Sequence, residues 1–316
     1  MTAYIIRRIG IAIIVTIGVT AISYALLHAI APNPAYVVLG SKSSPAAVRA
    51  WDKANGYDRP EVVQIASYLW DLVRGHFGYS YKLNQSVTAL IKENAGRSAY
   101  LSGAALVLSL LIAMPLGIAQ AVRRNSFGDY TMTTLNFVLY SMPSFFLGLI
   151  LINVFALDLH VFPPGVNDQI TTTWAAITHP NQLLLPIVTL TAINIASFSR
   201  YMRSSALDAL AQDYIRLARA KGLSERAVLT RHLVRNACLP MITLLGLSIP
   251  SLLAGNLLIE YLFNYPGLGL MFYTALGNED YNVMLAYVVL GGLLTVIGNL
   301  LADVAMTIAD PRVRLD

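Results

Sequence analysis

The 316-residue chain is 56% hydrophobic and only 12% charged, with a formal net charge of +5. That balance lies outside the range of soluble globular domains and places the chain in a membrane. The Lys and Arg excess fits the positive-inside bias of membrane loops rather than a nucleic-acid partner, and a single cysteine, Cys238, allows no internal disulfide.

Six stretches are uncharged or nearly so: residues 9–31, 98–122, 130–157, 183–199, 237–258 and 283–302. Each is near the roughly 20 residues that a helix needs to cross the hydrocarbon core. Strands of a membrane barrel would alternate apolar and polar residues, and these stretches are apolar on all sides, so helices are expected. The expected fold is an all-α membrane protein of six transmembrane helices. Arg7-Arg8 before the first stretch and Ala29-Ile30-Ala31 at its end mimic a signal peptide. The apolar core is too long for one, and Pro32 follows the mimic site.

Segment 32–97 is long enough to form a small subdomain, and its punctuation is helical. Ser44-Pro45 reads as an N-cap with a first-turn proline, and Gly56 as a stop. A second helix is expected from Arg59-Pro60-Glu61 to Gly75, with Val62, Ile65, Ala66, Leu69 and Val73 at helical spacing. It should lie on the membrane surface or on the bundle. A dock for an external binding protein and a solvated cap over the helix ends both fit this segment.

Outside that segment, every Lys and Arg falls at the N-terminus, at Arg123-Arg124, between Arg200 and Arg235, or at Arg312 and Arg314. Those places share one side of a six-helix topology, whereas loops 158–182 and 264–282 carry none. Both termini are therefore expected in the cytoplasm, with 32–97 outside. The chain divides into 1–31, the cytoplasmic end and first span; 32–97, the extracytoplasmic segment; 98–309, a five-helix core; and 310–316, a cytoplasmic tail.

Between the fourth and fifth spans lies a basic segment, 205–236. At 100° per residue Leu207, Leu210, Ala211, Tyr214, Leu217 and Ala218 fall in one arc, and Asp208, Gln212, Asp213, Arg216 and Arg219 fill the other. One amphipathic helix is expected. Lys221 suits its C-terminus, Gly222 can end it in a left-handed conformation, and Ser224 can cap a second helix running to about Asn236. Basic amphipathic helices often lie on lipid headgroups. Asp208 and Asp213 on the polar face point instead to a partner protein.

Enzyme chemistry finds no support. No lysine follows a glycine, so a P-loop is absent; His-Glu-x-x-His, Cys-x-x-Cys and Gly-x-Ser-x-Gly are absent too, and the five histidines are scattered. No metal site is expected. An ion-coupled carrier would bury an ionisable residue at the midplane of a span, and none sits there: Glu260 lies near an outer end and Asp303 near an inner one. Asn153, Asn194, Asn256 and Asn299 are read first as interhelical hydrogen-bonding groups.

The segment Asp213-Tyr214, Arg216, Ala218-Arg219-Ala220-Lys221-Gly222-Leu223-Ser224, His232, Arg235-Asn236-Ala237 and Pro240 resembles the cytoplasmic coupling segment of one family. That family is the permease subunits of binding-protein-dependent ATP-binding-cassette importers of the oligopeptide, dipeptide and nickel type. Further matches are Ser141-Met142-Pro143-Ser144-Phe145 with Gly148, Pro266-Gly267-Leu268-Gly269, Asn299-Leu300-Leu301-Ala302-Asp303 and Asp310-Pro311-Arg312-Val313-Arg314. Tyr4-Ile5-Ile6-Arg7-Arg8 before the first helix, with a long outer segment after it, resembles the B-type permease. Of the general importer motif only Ala218 and Gly222 are kept, as in the peptide branch, and Pro32-Asn33-Pro34 replaces that branch's frequent Pro-Gly-Asp-Pro.

The resemblance implies a type I importer permease fold in a prokaryotic cell membrane, half of a translocation pathway for oligopeptides or dipeptides. Nickel or another small solute is the alternative cargo, and a secondary carrier or channel the alternative class. The implied partners are a second homologous permease, two ATPase subunits that bind ATP and Mg, and an extracytoplasmic substrate-binding protein. The chain itself would hold no cofactor. Asp213, Tyr214, Arg216, Leu217, Ala218, Arg219, Ala220, Lys221 and Gly222 would contact the ATPase, and Ser141, Asn194, Asn256 and Glu260 are candidates for the pathway.

Overall fold

The first apolar run folds as one helix, α1 (Thr2–Ile30). The computed structural model describes residues 2–30, 33–40, 42–167, 169–254 and 256–309. The expected tail 310–316, with its Asp310-Pro311-Arg312-Val313-Arg314 motif, lies outside the described residues.

Three short helices follow, α2 (Pro34–Leu39), α3 (Pro45–Asn55) and α4 (Glu61–Val73). Ser44 accepts from the Ala47 N–H, Pro45 opens α3, and Gly56 at φ +78° closes it, as the residues predict. The face that α4 buries differs from expectation. Val62 and Val73 are 77% and 81% exposed, while Gln64 is buried. Its Oε1 accepts from the Tyr24 hydroxyl of α1, and its Nε2 donates to the Tyr57 and Arg59 carbonyls at 3.1 and 2.7 Å. Fully satisfied hydrogen bonding lets a polar side chain take the inner face, and the outward valines suit a membrane surface. A short antiparallel hairpin, β1 (Tyr79–Ser80) and β2 (Gln85–Ser86), leads into the bundle.

The second span starts at Val87 rather than at residue 98: Ser86 caps α5 (Val87–Val122), whose 36 residues extend about 54 Å. The third is not one helix. α6 (Phe127–Ser141) ends where Met142 turns extended before Pro143, and α7 (Ser144–Leu151) with a π-helical continuation, Ile152–Asp158, leaves at 104°. Proline disfavours a helical residue before it and lacks the N–H that would continue the ladder. After α8 (Thr173–Thr178) comes α9 (Pro180–Leu210), then α10 (Asp213–Ala220). α11 (Glu225–Ala227) and α12 (Val234–Ala237) are joined by a π-helical stretch, Val228–Leu233. The fifth apolar run is also divided, into α13 (Leu239–Ala254), set at 43° to the preceding helix, and α14 (Leu257–Leu262). α15 (Leu268–Gly277) and α16 (Tyr281–Ala309) complete the described elements. By length and hydropathy α5, α9 and α16 can each cross a membrane, and the two bent pairs bring that number to five among the described residues.

α5 packs along α9, α13 along α16, and α1 along α16. Val87 and Leu90 of α5 join an apolar cluster with Leu268, Met271 and Val283; Leu101 and Ala105 join one with Leu183, Ile259 and Phe263. Farther along, Ala113 and Ala121 join a third with Met202, Ile215, Val228 and Leu233. The basic segment therefore sits at one end of α5 and the β1–β2 hairpin at the other.

Arg203 of α9 forks onto Asp129 of α6, with Nε and Nη2 at 2.8 Å from Oδ1 and Oδ2, and Asp129 also accepts from the Asn125 N–H at 3.0 Å. The Asp129 side chain is 3% exposed. Asn136 donates to Ser199 at 2.8 Å along the same seam. Arg203→Ala strands a buried carboxylate and should lower stability by about 3 kcal/mol, read as a fall in thermal unfolding midpoint in detergent. The Asp129→Asn/Arg203→Gln double variant, which leaves no lone charge, should lose much less.

Candidate functional site

The expected single amphipathic helix is two helices. Gln212, extended at φ −76° and ψ 149°, breaks the ladder after α9 and serves as the N-cap position of α10. Leu207 and Leu210 belong to the last turn of α9 and pack against the cluster of Met202 and Ile215, and α10 takes its own rotation. Its buried face is Ile215 and Ala218, at 0% and 4% exposure, whereas Tyr214 and Leu217 turn outward at 37% and 56%. Ile215 lies at the border of the predicted arc and was missed for that reason. Partial burial raises the Tyr214 phenol above its ordinary pKa, so it is a neutral hydroxyl at physiological pH.

The C-terminal end of α10 is fixed by local chemistry, whereas Gln212 at its start makes no side-chain cap. Gly222, at φ +78°, donates its N–H to the Arg219 carbonyl at 2.9 Å, and Leu223 donates to the Ala218 carbonyl at 3.3 Å. This is the paired hydrogen bonding of a Schellman end, which the sequence predicts from Gly222. Ser224 then caps α11 by accepting from the Ala227 N–H at 3.4 Å, again as expected. Arg219 spans the corner: its Nε and Nη2 lie 2.8 and 3.2 Å from the two Glu225 oxygens. Arg216 makes a looser contact with Asp213, at 3.4 Å.

What remains outward is an apolar trio, Tyr214, Leu217 and Leu223, amid the exposed cations Arg216, Lys221, Arg226 and Arg231. Apolar anchors ringed by charge are the composition of a protein-docking surface. Asp213 and Ala220 are exposed as well, so of the predicted contact residues Ala218 alone is buried.

The four pathway candidates are not gathered in one place. Ser141 is exposed at the end of α6, beside the bend, and Asn194 is half-buried within α9. Asn256 and Glu260 do meet, the Asn256 N–H lying 3.3 Å from Glu260 Oε1, and Asn256 Nδ2 donates to Ser102 of α5 at 3.2 Å. Among the described residues no hydrogen bond joins Ser141 or Asn194 to that pair. Glu260 is fully buried. Ser98 donates to its Oε1 at 2.7 Å, and the Gly269 and Leu270 N–H groups donate to its Oε2 at 2.7 and 3.2 Å. Ser98 in turn accepts from the Leu268 N–H at 2.8 Å. The carboxylate thus clamps the turn 265–270 to α5, with Tyr265 donating to the Arg97 carbonyl at 2.8 Å beside it. Ser98 and Ser102, one helical turn apart, were the available signal for this contact. Asn153 donates at 3.0 Å to Leu149 of its own helix rather than to a neighbouring one.

A model of the family described as binding-protein-dependent transport system inner membrane component matches residues 113–315, and the model of the N-terminal part of such components matches 1–101. The chain belongs to this family. It is 37% identical over 314 residues to the oligopeptide transport system permease protein AppB of Bacillus subtilis (strain 168), covering 99% of each chain. It is 32% identical over 339 residues to the dipeptide transport system permease protein DppB of Escherichia coli (strain K12), again covering 99% of each. DppB of Alkalihalophilus pseudofirmus is also 32% identical, over 335 residues. In this transport-system component the larger family match takes in α10, its Schellman corner and Glu260, while Ser98, the other side of the clamp, falls in the N-terminal match.

Proposed function

We propose that the chain is one permease subunit of an ATP-driven importer that carries short peptides inward and that it supplies half of the translocation pathway. The substrate class follows the names of full-length relatives, oligopeptide and dipeptide transport permeases. The observation that carries the mechanism is α10: a short helix held by its buried Ile215 and Ala218 and by its C-terminal corner, with Tyr214 and Leu217 outward. A fixed element of this kind can convert closure of a docked ATPase into rearrangement of the bundle. Tyr214 and Leu217 fill an apolar groove in the ATPase, Arg216 and Lys221 set register against its acidic residues, and ATP with Mg is held by that partner.

In this reading α1, α5, the bent α6–α7 pair, α9, the α13–α14 run and α16 make six spans, with α10 and both termini cytoplasmic and 32–97 outside. A second homologous permease completes the pathway, and an external binding protein delivers the peptide.

Affinity purification of the tagged chain from native membranes in mild detergent, followed by peptide uptake in proteoliposomes, tests this. A second permease and ATPase subunits in stoichiometric amounts, with uptake that requires ATP, is the expected result. A chain recovered alone that moves solute without ATP would make it a secondary carrier.

A further inference from the structure

The segment between α1 and α5 encloses a two-part chamber. An open cleft of about 1080 Å³ lies among α4, the β1–β2 hairpin and the first turns of α5. A more enclosed cavity of about 230 Å³ adjoins it against α1 and α16, and the two share Tyr24, Tyr57 and Asn282. This end of the molecule is opposite α10.

The two parts differ in chemistry. Arg59, Arg74 and Lys92 line the cleft against one carboxylate, Asp71, and no salt bridge among the described residues engages any of the four. Arg74 is steadied over the Trp70 ring, 4.6 Å from its centre. Among the described residues the inner cavity has no Lys, Arg, Asp or Glu; Tyr24, Tyr57, Tyr281, Leu27 and His28 form much of its wall. Tyr68 of the cleft and Tyr281 of the cavity each bury a hydroxyl that has no hydrogen-bond partner among the described residues. Unpaired buried groups are expensive to keep, and they mark a wall ready to accept a polar ligand after a small shift.

We propose that this chamber is a receiving site for a short peptide with a free C-terminal carboxylate. The carboxylate and peptide backbone lie in the cationic cleft, and an aromatic or large apolar side chain enters the tyrosine-lined cavity, which has room for one ring. An excess of cations selects a carboxylate over an amide, one acidic group on the same wall accommodates the peptide ammonium, and the tyrosine-lined recess selects the side chain. The inference rests on the peptide-importer reading above and adds a site on the permease itself, ahead of the pathway.

The test uses the full chain in lipid nanodiscs and calorimetric titration with the dipeptide Ala-Phe and with its C-terminal amide. Ala-Phe is expected to bind saturably and the amide at least about tenfold more weakly, since one charge-assisted contact is worth that factor. An Arg59→Gln/Lys92→Gln double variant should lose about tenfold or more for Ala-Phe and little for the amide, while Arg49→Gln, outside the chamber, should change neither. Equal binding of acid and amide, no saturable binding, wild-type affinity in the double variant, or equally effective displacement by inorganic phosphate would each overturn the site. ATP-driven uptake of Ala-Phe without chamber binding removes only this inference; a complex that takes up no peptide removes the transport reading.

Discussion

Glu260→Ala should be the most destabilising single substitution in the bundle, lowering stability by about 3 to 5 kcal/mol. The change removes the acceptor for Ser98 and for the Gly269 and Leu270 N–H groups in a site with no exposure to solvent. Counting the Asn256 N–H, four donors lose their partner together. Gly267→Ala should reach the same end by another route, because a Cβ there would lie 2.4 Å from both Glu260 Oε2 and Ser98 Oγ. Glu260→Gln keeps one acceptor oxygen and should cost roughly half as much as the alanine change. Thermal unfolding in detergent reads all three. A wild-type midpoint for Glu260→Ala would remove the clamp from the account of this fold.

Gly222→Pro should abolish coupling, cutting ATP-dependent uptake at least about tenfold while leaving the amount of protein in the membrane unchanged. Proline holds φ near −65°, and residue 222 sits at +78° with its N–H donated to Arg219. Gly222→Ala should be mild: its Cβ meets no atom within 4 Å, so only the left-handed backbone costs, by about 1 kcal/mol. Arg219→Glu sets two carboxylates at one corner and should also uncouple hydrolysis from uptake. The Arg219→Glu/Glu225→Arg exchange restores the pair. Recovery of uptake in the exchange variant would mean that Arg219 acts by holding the corner, and continued loss that the ATPase reads Arg219 directly. Full uptake by Arg219→Glu alone would remove it from the coupling site.

The features legible in the chain are those whose physics is local. Ser44, Gly56, Gly222 and Ser224 end or begin helices through bonds to residues three or four positions away, and all four do so as the sequence predicts. Averaged hydropathy hid the breaks. Pro143 lies in plain view within an apolar run, yet the run is hydrophobic on both sides of the 104° bend. The turned register of α10 escaped for a similar reason: a uniform 100° wheel has no place for an extended Gln212. Contacts across the chain were beyond reach altogether. Asp129 and Arg203 are 74 residues apart, and Ser98 and Glu260 are 162 apart, so only the folded bundle pairs them.

α5 takes part in all three apolar clusters. Lys92, in the chamber wall, and Ala121, packed in the cluster beneath α10, belong to the same unbroken helix. Pro115 lies within α5 without ending it, so a tilt at one end is carried toward the other. If the chamber takes a peptide and α10 an ATPase, as proposed, whatever peptide occupancy does to ATPase affinity, ATPase docking does to peptide affinity by the same factor, since linkage between two binding sites is reciprocal. An empty chamber would then be as much a signal to the motor as a full one.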